Sequence, residues 1–209
     1  AVLNYASIIG HRQHDYLSLG LYARGLDLLP DLGYPRTWDY RWEWDSNSLA
    51  HNTVTVNELE PAARSFRNGA RLFASAGGVH AVTAFHNPYP ERMGLGGDHP
   101  APVDLYERTT ILVDVDENRF YVVDLFAVRG GEQHDQSWHA MLVEPEAPDL
   151  VWHAQESGTL AGIDVPPFGP YTDRWGREHT KGNFPSFVTN VRRAALDGVA
   201  AWKIGRAHV

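Results

Sequence analysis

Residues 105–128 read LYERTTILVDVDENRFYVVDLFAV. Apolar and polar side chains alternate through 105–115 and again through 120–128. A period of two sends successive side chains to opposite faces, the mark of a half-buried strand. Asp116, Glu117 and Asn118 lie between the runs and supply turn formers. The stretch is therefore a long β-hairpin. The same signal recurs on both sides of it. Residues 17–23 (LSLGLYA) alternate, and Arg24-Gly25 turns the chain into 26–29 (LDLL). Residues 52–57 (NTVTVN) form a β-branched run with Thr on one face and Val on the other. Residues 71–76 and 79–85 flank Gly77-Gly78, a second hairpin signal. Residues 138–143 and 150–153 continue the strand theme. No long stretch carries a helical period; 191–196 (VRRAAL), within 188–202, suits either a helical turn or a hairpin. The Gly/Pro-rich segments 93–102 and 165–169 read as loops. The expectation is an all-β antiparallel sandwich forming one continuous domain over 1–203.

The chain has 209 residues, 43% hydrophobic and 21% charged, which suits a folded domain with a sizeable core. No apolar run approaches the roughly 18 residues of a membrane-spanning helix. Cysteine is absent, which excludes disulfides, thiolate metal sites and a cysteine nucleophile. The net charge of −8 argues against a general nucleic-acid binder, while leaving room for a local basic cleft. The chain starts at Ala1 without methionine, and residues 204–209 (IGRAHV) resemble a translated sequencing adaptor. The expectation is an internal piece of a longer protein with a non-native tail at 204–209.

Eleven histidines are present, and three clusters stand out. Gly10-His11-Arg12-Gln13-His14-Asp15 precedes the first strand. Ala50-His51-Asn52-Thr53 opens another. Gln133-His134-Asp135-Gln136-Ser137-Trp138-His139 follows Gly130-Gly131.

These segments, in this order and spacing, resemble the C-terminal region of heparinase II/III-like polysaccharide lyases. The resemblance runs over roughly residues 5–200. It is carried by His11/His14/Asp15, the 17–23 strand, Gly25, Asp31-Leu32-Gly33-Tyr34, the aromatic 38–44 loop and the His51-Asn52-Thr53-Val54-Thr55-Val56 motif. Tyr106-Glu107-Arg108, the 121–125 strand and His134/His139 extend it. It implies an enzyme in which an N-terminal α/α-toroid, absent from this chain, packs on a β-sandwich. It further implies cleavage of uronic-acid polysaccharides, heparin-like or alginate-like, by β-elimination. A base takes the C5 proton, the carboxylate charge is neutralised, and an acid protonates the departing glycosidic oxygen. A periplasmic or secreted location is implied with it.

The resemblance makes His51 the leading catalytic candidate, facing the cleft from the sandwich; the alternative is a histidine that only caps a strand end. Tyr89, in Asn87-Pro88-Tyr89-Pro90, is the second, set against simple packing beside two prolines. Trp38 and Trp42, with Arg41 and Arg92, are the candidates for binding an acidic sugar, by stacking and by charge. Trp42 and Trp44 could equally share a strand face in the core. The chemistry itself needs no cofactor. Some relatives carry a structural zinc whose ligand falls two positions after the cleft histidine. Thr53 stands there in this chain, so a zinc or calcium falls back on His14, Asp124, His134 and His139. The partners implied are an acidic polysaccharide or oligosaccharide and the toroid domain. Two other readings compete: a non-catalytic carbohydrate-binding sandwich, and a metal-dependent cupin-type barrel.

Overall fold

The structure is a computed structural model describing residues 1–4, 13–23, 25–31, 40–61, 67–90, 101–140, 145–146, 150–196 and 203–204. It is an antiparallel all-β architecture, as the alternation predicts. The sequence reads as one continuous domain, whereas the chain contacts sort into two compact units. The first comprises residues 1–34 and 46–139, the second 35–45 and 140–209.

The first unit is built on a four-stranded meander of β5 (Asn68–Ala76), β6 (Val79–His86), β7 (Val103–Asp116) and β8 (Arg119–Gly130), paired in that order. Gly77 and Gly78 have φ of 56° and 78°, the left-handed pair that a tight two-residue hairpin requires. Asp116 pairs with Arg119 across Glu117-Asn118, and the Asn118 amide donates to Asp116 Oδ1 at 2.8 Å. Smaller sheets cover one face. They are β1 (Val2–Leu3), β2 (Leu19–Ala23) and β3 (Leu26–Leu29), and the pair of β4 (Val54–Val56) with β9 (His134–Gln136).

The core lies between these layers, where Tyr16, Leu17, Val54, Val56, Ala84, Tyr89, Val103 and Tyr106 pack together. On β7 the alternation places Tyr106, Arg108 and Thr110 on this covered face. The opposite face carries Leu72, Val79, Tyr121, Val123 and Leu125, all exposed. In β4 both faces are buried: Val54 and Val56 enter the core, while Thr55 hydrogen-bonds Ser48 Oγ at 3.0 Å. A period-two run alone cannot reveal a strand covered on both sides.

In the second unit a π-turn, Arg41–Asp45, packs against α1 (Phe184–Phe187). Trp44 stacks on Phe184 with ring centroids 4.7 Å apart, and Tyr40 packs on Phe168 and Phe187. Among its described residues are three two-residue antiparallel ladders: β10 (Pro145–Glu146) with β15 (Lys203–Ile204), β11 (His153–Ala154) with β14 (Arg192–Arg193), and β12 (Tyr171–Thr172) with β13 (Glu178–His179). The 191–196 segment thus joins a ladder, and the helical turn lies upstream of it.

Candidate functional site

His51 closes a 3₁₀ turn. Asn47 caps that turn, its side chain accepting from the Leu49 amide at 3.0 Å; the turn spans Ser48–Ala50. His51 then adopts extended backbone (φ −119°, ψ 158°) and leads toward β4. Its ring is completely buried. Nδ1 lies 2.7 Å from Asp31 Oδ2. A carboxylate only accepts, so Nδ1 carries the proton and donates it. Nε2 is buried with no hydrogen-bond partner.

The neighbouring residue explains how Asp31 reaches the ring. Asn52 Nδ2 donates to Pro30 O at 3.2 Å, and Asn52 Oδ1 accepts the His139 amide at 2.6 Å. One side chain therefore latches the chain just past β3 to the segment after β9. Asp31 follows Pro30 directly and is delivered to His51 by that latch. Charge accumulates here. Burial pushes the Asp15 carboxyl above its ordinary range, with His51 opposing and Asp31 adding to the rise. Burial lowers the pKa of His139, with His51 adding to the fall and its Leu49 contact opposing it. Imidazoles and carboxylates thus share one partly desolvated neighbourhood.

Arg108 underpins this arrangement, and sequence reasoning missed it. Its side chain is fully buried on the core face of β7. Nε and Nη2 grip Asp124 Oδ1 and Oδ2 at 2.7 and 2.9 Å, a bidentate fork. Nη1 donates to Leu17 O at 2.7 Å and to Asn52 O at 2.6 Å. The guanidinium also faces the rings of Phe126 and Trp138, 5.1 and 5.2 Å from their centroids. Arg108 ties the large sheet to the backbone one residue beyond His51. The available signal was an Arg and an Asp at core-face parity on the two arms of the predicted hairpin.

The other sequence candidates separate. Tyr89 sits in the core, its hydroxyl accepting from the Val56 amide at 3.2 Å and donating to Leu59 O at 3.1 Å. Burial pushes its hydroxyl well above the ordinary tyrosine range, which opposes the phenolate a base needs. This geometry gives Tyr89 a packing task. Trp42 and Arg41 belong to the second unit. Trp42 is 59% exposed, and the buried Arg41 guanidinium lies 4.9 Å from its ring centroid. Trp38 and Arg92 lie outside the described residues.

The four metal candidates are engaged apart from one another. His14 pairs with Glu60, and Asp124 holds Arg108. His134 Nε2 donates to Gly130 O at 2.7 Å, and His139 Nε2 to Leu49 O at 2.9 Å. Among the described residues no three His, Asp or Glu side chains come together as a metal site requires. Among the described residues no helix is long and apolar enough to cross a membrane.

A family model described as heparinase II/III-like, C-terminal, matches residues 1–162. No curated protein and no solved structure matches the chain.

Proposed function

The chain belongs to the heparinase II/III-like family of polysaccharide lyases, matching its C-terminal region, and from that membership we propose that it is the β-sandwich part of a lyase that cleaves uronic-acid polysaccharides by β-elimination. The observation that carries this reading is the His51–Asp31 pair, with Nδ1 committed and Nε2 left without a partner. A uronate carboxylate arriving at Nε2 favours the doubly protonated ring, and Asp31 stabilises that imidazolium from the other side. Neutralising the carboxylate stabilises the charge that develops when the C5 proton leaves. The base at C5 and the acid at the glycosidic oxygen come from the toroid. Because the ring is enclosed, substrate must displace whatever covers Nε2 before it binds. A polymeric substrate of this kind would favour a periplasmic or secreted location.

A second reading, a non-catalytic carbohydrate-binding sandwich, draws on the complete burial of His51 beside the exposure of Trp42. One experiment separates the two. The sandwich joined to its toroid is incubated with a panel of uronate polysaccharides, and ultraviolet absorbance of the unsaturated product is followed. The lyase reading expects a rise that disappears in His51→Ala and weakens in Asp31→Asn. Sugar affinity without a rise on any polymer selects the binding module.

A further inference from the structure

The ladder between β6 and β7 stops at Phe85 and Glu107, although β7 continues to Val103 along β8. The two chains meet again where the Val103 amide donates to Tyr89 O at 2.9 Å. Between these points the strands part, and a cavity of about 460 Å³ opens there. That size falls within the range of small-molecule sites. Arg67, Asn68, Arg71, His86, Asn87 and Tyr106 contribute to its wall.

Two β-bulges frame this opening. One lies between Ala70 and Leu72, leaving Arg71 as the extra residue on β5. The other lies between Val103 and Leu105, leaving Asp104 extra on β7. Bulges re-aim side chains, and both of these residues line the cavity. Arg71 lies over the Phe85 ring at 4.4 Å, and Phe85 in turn needs Gly69 beneath it, where a Cβ would sit 3.1 Å from the ring.

Two of the residues lining the cavity carry buried polar atoms without a hydrogen-bond partner. His86 is 2% exposed and neither ring nitrogen has a hydrogen-bond partner, and Asn87 Oδ1 is likewise buried and alone. Buried polar atoms in such a state call for a partner the chain does not supply. Burial lowers the His86 pKa to about 4, so at neutral pH the ring has one donor and one acceptor nitrogen. Hydroxyl groups match that pair. The carboxylates nearby are already balanced: Asp104 is gripped by Arg129 at 2.8 and 3.0 Å, and Glu107 pairs with Arg71 at 2.6 Å. Arg67 makes no ion pair among the described residues, which leaves one cation in excess.

We propose that this cavity is a binding site for one acidic sugar residue, its carboxylate held by Arg67 and Arg71 and its hydroxyls facing His86 and Asn87. Neither His51 nor Asp31 lines the cavity, so the site is separate from the proposed reaction centre. It rests on its own chemistry, and the lyase reading can fail while it stands.

The test is an NMR titration of the full chain with D-glucuronate, with D-glucose as the neutral control. The expected result is saturable shifts at the Asn87 amide group and the His86 ring with glucuronate, about tenfold weaker binding with glucose, and a comparable loss in Arg67→Ala. Arg71→Ala gives a second loss. Equal response to both sugars, absence of shifts at Asn87 and His86, or unchanged affinity in both arginine variants would overturn the proposal.

Discussion

Arg108→Met removes a fully buried cation while keeping most of the side-chain length. Asp124, whose side chain is 16% exposed, then loses its bidentate partner. Breaking a buried ion pair from one side costs about 3–5 kcal/mol. The Leu17 carbonyl also loses its Nη1 donor, worth about 1–3 kcal/mol. The Asn52 carbonyl keeps the Leu19 amide at 3.2 Å, so its loss is smaller. The expected destabilisation is about 4–8 kcal/mol, against a total of roughly 5–15 kcal/mol for a domain. With a urea m-value of about 2–3 kcal/mol/M, the midpoint falls by about 2 M. Tryptophan fluorescence in urea reads the transition. Arg108→Met/Asp124→Leu supplies the control, because it removes the stranded carboxylate and should recover about 2 kcal/mol or more. A single variant that loses less than about 1 kcal/mol, or a double variant no more stable than the single, would refute the view that this ion pair holds the two layers together.

His86 should make stability depend on acid. Its pKa is about 4 in the folded chain against 6.5 ordinarily, so the unfolded state binds more protons between those values. Stability from this group is complete above pH 6.5 and is lost as pH falls toward 4, by about 3 kcal/mol; His86→Phe should flatten that slope in pH-dependent urea melts. Tyr89→Phe should cost about 1–2 kcal/mol of stability through its two lost hydrogen bonds, while leaving β-elimination turnover unchanged. A collapse of turnover with stability intact would return Tyr89 to the reaction. Gly131→Ala should cost about 2–4 kcal/mol in the same melts, since φ is +74° and the new Cβ would fall 2.2 Å from Val56 Cγ1, wedging β9 away from β4.

Much of the architecture was legible because it is written in local terms. The alternation of 105–128 predicts β7 and β8, and Gly77-Gly78 and Gly25 mark hairpin turns whose positive φ values the structure shows. The His51 motif was recognisable as a motif for the same reason, its residues being contiguous. What those residues do was decided elsewhere in the chain. Asp31 reaches His51 from 20 residues upstream, with Asn52 holding the Pro30 carbonyl beside it. Asp124 stood among four fallback metal candidates, and the fold sets it against Arg108. Tyr89 looked like a loop residue, and the fold buried it with its hydroxyl committed to Val56 and Leu59. Side-chain periodicity and turn chemistry are properties of a few adjacent residues, so the sequence by itself determined the strands and their antiparallel turns. Burial, hydrogen-bond partners and proton affinity depend on which distant segments pack together, so tertiary structure alone decided which histidine was held by a carboxylate and which was left without a partner.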